Sequence, residues 1–258
     1  MKLHCESLGE GPPLVILHGL YGSGTNWKSH ARWLSEHRRV LLPDLRNHGR
    51  SPHVPGMAYP DMADDVVALL DAEDIERATI VGHSMGGKVA MALALAHPDR
   101  VRALVVVDIA PVTYPSRHEA LIESLQRLQP GHLRSRGEAD RELAAEIPEP
   151  MVRQFLLTNL ERREEGYGWR IPLDILAAEL PRLVGWPDIP GQWRGPALFV
   201  HGGASDYVTD GARAEIARYF PEARTLAVKG AGHWLHAEAP DAFRDVLQGF
   251  LDEQDPPP

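Results

Sequence analysis

The stretch that most constrains this chain is Gly82-His83-Ser84-Met85-Gly86. It lies between an apolar run, "RATIVGHS" (77–84), and a helix-like run, "MGGKVAMALALAHP" (85–98). A strand that turns directly into a helix leaves little space at the bend. Glycines at 82 and 86 allow the close approach, and Gly87 lets the helix pack tightly on the strand. The serine between them is forced into a strained turn that lifts its Oγ above the sheet edge, where a nucleophile has to stand. The pentapeptide alone is a weak signal, and its strand–turn–helix context gives it weight. The bland alternative is a glycine-rich turn whose serine only caps a helix.

Strand and helix signals alternate around this bend. "PLVILHG" (13–19) reads as a buried strand, "RVLLPDLRNHG" (39–49) as a strand running into a loop, and "VRALVVVDIAP" (101–111) as another strand. "TNWKSHARWLSEH" (25–37), with Thr25 or Asn26 as N-cap, and "PDMADDVVALLDAE" (60–73) read as helices. Fully apolar strands alternating with helices predict a parallel sheet covered on both faces. From 112 to 190 the pattern changes. Helix-like pieces occur, such as "SRHEALIESLQRL" and "PLDILAAELPRLV", with no convincing strand. The alternation returns at "PALFVHGG" (196–203), followed by a helix at about 209–219, the strand "ARTLAVKG" (223–230) and a last helix at about 238–251. The expected organisation is a core of residues 1–111 and 191–258 interrupted by a helical insertion at 112–190.

Composition excludes several functions. The 258 residues suffice for one large domain, or for one domain with an insertion. A net charge of −9 argues against nucleic acid or an anionic membrane as the main partner. Cys5 is the only cysteine, so neither an intrachain disulfide nor a CxxC zinc site can form. The first residues lack the apolar core of a signal peptide, and the longest apolar run, "VAMALALA" (89–96), is far short of a membrane span. A cytoplasmic protein is expected, with "DEQDPPP" as a frayed tail.

A nucleophilic serine needs a base. Of 13 histidines, His233 in "GAGHWLHAE" directly follows the last expected strand. Parallel strands bring their C-terminal ends to one edge, so that loop meets Ser84. His236 is the nearby decoy, and His97 reads as structural. Two carboxylates compete to orient the imidazole. Asp108 is the first polar residue after "ALVVV", and Asp206 follows the next core strand in "HGGASDYV". A buried strand end holds a carboxylate more rigidly than a glycine-rich loop does. The oxyanion of an acyl-transfer intermediate needs N–H donors, and Met85 and Leu20 are the expected pair. No metal site is expected: His233 and His236 lack a third ligand at motif spacing. No P-loop is present, and no G-x-G-x-x-G follows a strand, so no cofactor is expected. The arginines of the insertion are interleaved with glutamates and read as a solvated face rather than a phosphate clamp.

Five blocks carry a resemblance: "HGLYGSGTNW" (18–27), "LPDLRNHGRSPH" (42–53), "VGHSMGGKVAMALA" (81–94), "VVVDIAPVTY" (106–114) and "AGHWLHAE" (231–238). From about residue 3 to 251 the chain resembles the α/β-hydrolase superfamily, and more closely the YbfF-type esterases. The resemblance implies a mostly parallel central sheet with helices on both faces, and a lid formed by the insertion. It implies hydrolysis of a small-molecule acyl ester or thioester through an acyl-serine intermediate. It assigns Ser84 as nucleophile and His233 as base, and it favours Asp108 as the acid. Asp206 stands where many other α/β-hydrolases carry theirs, with Ser205 placed to support the triad. The alternatives are a hydrolase of the same fold acting on a C–C bond or a lactone, and a non-catalytic binding protein. Haloalkane dehalogenases and epoxide hydrolases resemble this fold but use aspartate where this chain has Ser84. Tyr21, Tyr114, Phe155 and Trp186 are expected to line the substrate pocket, since such pockets are mostly apolar. Trp193 is expected to anchor the insertion to the core. Oligomeric state has no signature in the sequence.

Overall fold

In the computed structural model the structure describes residues 1–116, 118–164 and 166–254. Its strands are β1 (Cys5–Leu8), β2 (Pro13–Leu17), β3 (Arg39–Pro43), β4 (Ala78–His83), β5 (Val101–Val107), β6 (Leu160–Arg163), β7 (Gly166–Trp169), β8 (Ala197–Gly202) and β9 (Arg224–Val228). Its helices are α1 (Lys28–Leu34), α2 (Tyr59–Ala72), α3 (Met85–Ala96), α4 (Glu119–Arg127), α5 (Arg136–Leu143), α6 (Pro150–Leu156), α7 (Leu173–Val184), α8 (Asp210–Tyr219), α9 (Leu235–Glu238) and α10 (Pro240–Gln254).

Seven strands form one sheet in the order β1-β3-β2-β4-β5-β8-β9. All neighbours run parallel except β1, which pairs antiparallel with β3 from Cys5↔Pro43 to Leu8↔Val40. Side chains on a strand alternate between faces, and the apolar runs are sorted accordingly. Val15, Leu17, Ile80, Leu104 and Val106 pack on the face covered by α2 and α3. Leu14, Ile16, Val81, Val105 and Val107 pack on the face covered by α1 and α10, against Trp27, Phe243 and Leu247.

Several local expectations change. The strand β1 was not foreseen, because "CESL" is short and half polar. The helix expected at 25–37 is a single 3-10 turn, Gly24–Trp27, followed by α1. Ser23 takes the cap position in place of Thr25 or Asn26, and its N–H donates to Asn26 Oδ1 at 2.7 Å. Asp252, Glu253 and Gln254 belong to α10 rather than to a tail, and residues 255–258 lie outside the described residues.

The segment between β5 and β8 carries α4–α7 and also a two-stranded antiparallel sheet of β6 and β7. The strands escaped the sequence reading because "LERREEGYGW" alternates charge and glycine instead of apolar residues. Apolar side chains of this segment, among them Leu125, Leu156, Leu176 and Leu180, join the cluster over α2 and α3. Trp193 is buried against Phe220, as expected of an anchor.

The bend between β4 and α3 is tight at three successive glycines. A Cβ on Gly82 would lie 2.3 Å from the Gly86 carbonyl oxygen. A Cβ on Gly86 would lie 2.3 Å from the Leu17 carbonyl oxygen and 2.6 Å from that of His18. On Gly87 it would meet Ile109 Cγ2 at 2.5 Å. Backbone oxygens cannot move aside as a flexible side chain can. Gly86→Ala is therefore expected to destabilise the protein by about 3 kcal/mol or more, read as the shift of the urea unfolding midpoint at unchanged m-value.

Candidate active site

Strand register builds the site. His83 pairs with Val107 and Val107 with Val200, so the residues one step beyond β4 and β5 emerge side by side. These residues are Ser84 and Asp108. Both adopt the left-handed backbone region, with φ of 52° each. That conformation is uncommon outside glycine and stores strain where it is found. Backbone bonds hold it: Ser84 N–H donates to Val107 O at 3.0 Å and Asp108 N–H to Val200 O at 2.9 Å.

The Asp108 carboxylate is fully buried and accepts three bonds. Oδ1 accepts Gly202 N–H at 2.9 Å. Oδ2 accepts the Ser205 hydroxyl at 2.5 Å and His233 Nδ1–H at 2.7 Å. A buried carboxylate is tolerated when its lone pairs are filled in this way. The bond also fixes the orientation of the imidazole, with Nδ1–H directed at the carboxylate. Tyr207 stacks on the His233 ring at 4.2 Å and 20°. The loop around His233 is clamped by Glu238, whose carboxylate accepts Gly232 N–H at 2.6 Å and Trp234 N–H at 3.1 Å. His83 Nε2–H donates to His233 O at 2.9 Å from below. Glu238 and His83 were not singled out by sequence reasoning. The available signal was the five-residue spacing from His233 to Glu238.

The decoys resolve into structural roles. His236 stacks on Trp27 at 4.4 Å, and burial pushes its pKa down to about 3. His97 Nε2 bonds Asp64 at 2.7 Å.

Opposite Ser84 lies the loop 18–22. Tyr21 is in the left-handed region, with φ 64°. Its N–H donates to His48 Nε2 at 3.1 Å, and Gly22 N–H donates to Gly19 O at 3.0 Å. The Leu20 N–H remains, beside Ser84 at the cavity wall. Met85 begins α3, so its N–H has no acceptor within the helix, and the positive end of the helix dipole lies there. His18 supports the same loop: its Nδ1–H donates to Gly19 O at 2.8 Å while Nε2 accepts Leu45 N–H at 2.9 Å. His48 is built alike, its Nδ1–H donating to Arg46 O at 2.9 Å. Each ring both donates and accepts, so each must be neutral. The sequence reading missed both.

A cavity of about 530 Å³ opens above Ser84. Tyr21, His233, Ser205, Asp206 and Tyr207 line it from the core. Leu121, Val152, Phe155 and Leu156 line it from the inserted segment, and Trp234 completes this apolar side. Of the aromatics expected in the pocket, Tyr21 and Phe155 are there. Tyr114 instead lines a narrow crevice that also begins at Ser84. Trp186 departs from expectation: it packs between Tyr59 and Tyr219 and lines a separate groove beside Pro187 and Arg218. Among the described residues no cluster of three or more His, Cys, Asp or Glu side chains is arranged to hold a metal ion, and no helix is long and apolar enough to cross a membrane.

Burial lowers the pKa of His48 to about 3 and that of His18 and His83 below the ordinary imidazole value. Unfolded histidine takes up its proton near pH 6.5. Below that the unfolded state binds more protons than the folded one, so the stability these rings give is present above pH 6.5 and lost as pH falls toward 3. Unfolding free energies measured between pH 7.5 and 4.5 should fall from about pH 6.5 downward. His48→Gln should flatten that slope by one proton, about 1.4 kcal/mol per pH unit.

Known proteins resemble this chain over most of its length. The family model described as alpha/beta hydrolase fold matches residues 12–240. Esterase YbfF of Escherichia coli (strain K12) is 41% identical over 242 residues, covering 93% of both chains. The mouse (Mus musculus) sn-1-specific diacylglycerol lipase ABHD11 is 43% identical over 248 residues, covering 93% of this chain and 81% of its own. A solved structure titled marine microorganism esterase superposes with a TM-score of 0.94 at 41% identity, over 96% of this chain and 99% of the other. With the strand-to-helix serine, the sheet order and these likenesses in agreement, the chain belongs to the alpha/beta hydrolase fold family, and within it to the YbfF-type esterases.

Proposed function

We propose that this carboxylic ester hydrolase works through Ser84, His233 and Asp108 by an acyl-serine intermediate. The observation that carries the reading is the 2.7 Å bond from His233 Nδ1–H to the buried Asp108 carboxylate, over a cavity that Ser84 also lines. In the proposed first half, His233 Nε2 takes the Ser84 hydroxyl proton as Oγ attacks the ester carbonyl. The N–H groups of Leu20 and Met85 stabilise the oxyanion. The imidazolium, paired with Asp108, then protonates the departing alkoxide. In the second half His233 draws a proton from water, whose oxygen attacks the acyl carbonyl; the bond from the acyl group to Ser84 Oγ breaks, the imidazolium returns its proton to Oγ, and the carboxylic acid leaves. Thioesters fit the same steps with a thiolate as leaving group. Ser205 supports Asp108, and Asp206 is assigned no part in the proton transfers.

The acyl chain is assigned to the apolar side formed by Leu121, Val152, Phe155, Leu156 and Trp234, which makes residues 112–190 a lid over the substrate. Medium-chain acyl esters, acylglycerols among them on the likeness to the mouse lipase, are the substrate class to test first.

Ser84→Ala should fold and lower kcat by about 10⁴-fold or more. Asp108→Asn should lower kcat by about 10³–10⁴-fold, since an asparagine cannot stabilise the imidazolium, whereas Asp206→Asn stays within about tenfold. Steady-state kinetics on a chromogenic ester checks both. A more damaging Asp206→Asn would reverse the acid assignment.

Each methylene buried on the apolar side contributes up to about 0.8 kcal/mol. The kcat/KM of the wild type should therefore rise with acyl length until the cavity is full, then fall. Phe155→Ala should move that optimum to longer chains. An unmoved optimum would place the acyl chain elsewhere.

A further inference from the structure

Lys88 is buried to 1% exposure one helical turn after Ser84, and its own N–H donates to the Ser84 carbonyl at 3.1 Å. Among the described residues no carboxylate pairs with it. Its Nζ donates instead to Val184 O at 2.9 Å and Gly185 O at 2.6 Å, at the C-terminal end of α7. The same ammonium stands 5.5 Å from the centre of the Tyr59 ring and 5.0 Å from that of Tyr114. The last carbonyls of a helix lack internal donors and carry its negative end, so a cation from a second helix is a fitting cap. Two more bonds converge there. Tyr59 O–H donates to Leu183 O at 2.5 Å, and Tyr114 N–H donates to Val184 O at 2.9 Å.

The clamp is continuous with the site on two sides. A crevice of about 40 Å³ runs from Ser84 to Lys88 and is walled by Tyr59, Tyr114, Leu183 and Val184. Tyr114 O–H donates to Tyr207 O at 2.9 Å, and Tyr207 stacks on His233. Burial pushes the Lys88 pKa down to about 7, so the site carries a standing penalty for the charge that methionine of similar size would avoid. Packing alone does not call for an ammonium at this position.

We propose that Lys88 is a positioning residue for ester hydrolysis: rooted on the helix of the nucleophile, it clamps the end of α7 over the crevice beside Ser84 and so keeps that crevice shut to an acyl chain, which is left only the apolar side of the main cavity. The inference rests on the ester-hydrolase reading given above. Loss of the clamp frees the end of α7, which opens the crevice to longer chains and loosens the Tyr114–Tyr207 support behind His233. The experiment is kcat/KM on an acyl-ester ladder for wild type, Lys88→Met and Tyr59→Phe, with thermal unfolding recorded for each. Lys88→Met should lose about tenfold on the shortest esters and much less on the longest, moving the optimum up by two or more carbons. Tyr59→Phe, which removes one bond to α7 and leaves Lys88 in place, should move it in the same direction by less, and it decides the matter if Lys88→Met fails to fold. A lysine that only stabilises the fold would lower the unfolding temperature and scale all esters by one factor. That uniform scaling, or no change, in the folded variants overturns the proposal. A wild type inactive on every ester overturns the underlying reading itself.

Discussion

The structure depends on how closely α3 approaches the two strands beneath it. Gly86 sits where a Cβ would fall within 2.3 Å of the Leu17 carbonyl oxygen, and Gly82 faces the Gly86 carbonyl as closely. Without side chains at these points, the helix begins directly over the ends of β2 and β4. Its first N–H groups are then brought beside the loop 18–22, which leaves β2 at the same edge. The strained φ of Ser84 is a consequence: the chain has one residue in which to change from strand to helix. The surrounding core stabilises the bend, since β4 is buried throughout and its neighbours β2 and β5 are buried at all but one residue each.

Around the bend, charge is used sparingly. Asp108 is the fully buried carboxylate at the centre, and three donors hold it. The loop 18–22 is held by neutral histidines, His18 and His48, whose two ring nitrogens take opposite roles. A lysine or carboxylate in those places would make one of the bonds but not both. It would also set a full charge near the position where the oxyanion forms, either competing with the N–H donors or repelling the substrate. Neutral rings give rigidity without a competing field, and their vulnerability to acid is the consequence.

Much of this was legible in the sequence because it rests on residues with few alternatives. The serine between glycines, the apolar strands and the histidine after the last strand each have a short list of causes, and parallel topology alone brings them to one edge. Two expected carboxylates stayed open, because Asp108 and Asp206 both follow core strands, and what distinguishes Asp108, its full burial and its bonds with Gly202 N–H, the Ser205 hydroxyl and His233, is set by tertiary structure. The supports were harder to read. His18 and His48 each accept a backbone N–H 27 residues away, and no spacing rule announces such pairs. In the inserted segment, β6 and β7 have no apolar alternation, since glycine and charged residues make up most of that short hairpin. Trp186 misled for a related reason: an aromatic residue must pack somewhere, but composition does not say against which surface.

The inserted segment is joined to the core in a particular way. Several of its ties end on backbone: Tyr59 on Leu183 O, Lys88 on Val184 O and Gly185 O, Asn159 on Tyr21 O, and Glu179 on Met57 N–H. A backbone group is present whatever side chain the residue carries. Attachment through such groups fixes where the segment sits without depending only on the side chains that face the cavity, such as Leu121, Val152 and Phe155. On the proposed function, the core edge carries the chemistry and the segment selects the acyl group, so that the two can change independently. On this argument the residues that govern substrate choice fall into two kinds. On the proposals made above, the lining residues set the shape of the cavity, and the tying residues, with Lys88 the most deeply buried, keep the neighbouring crevice closed.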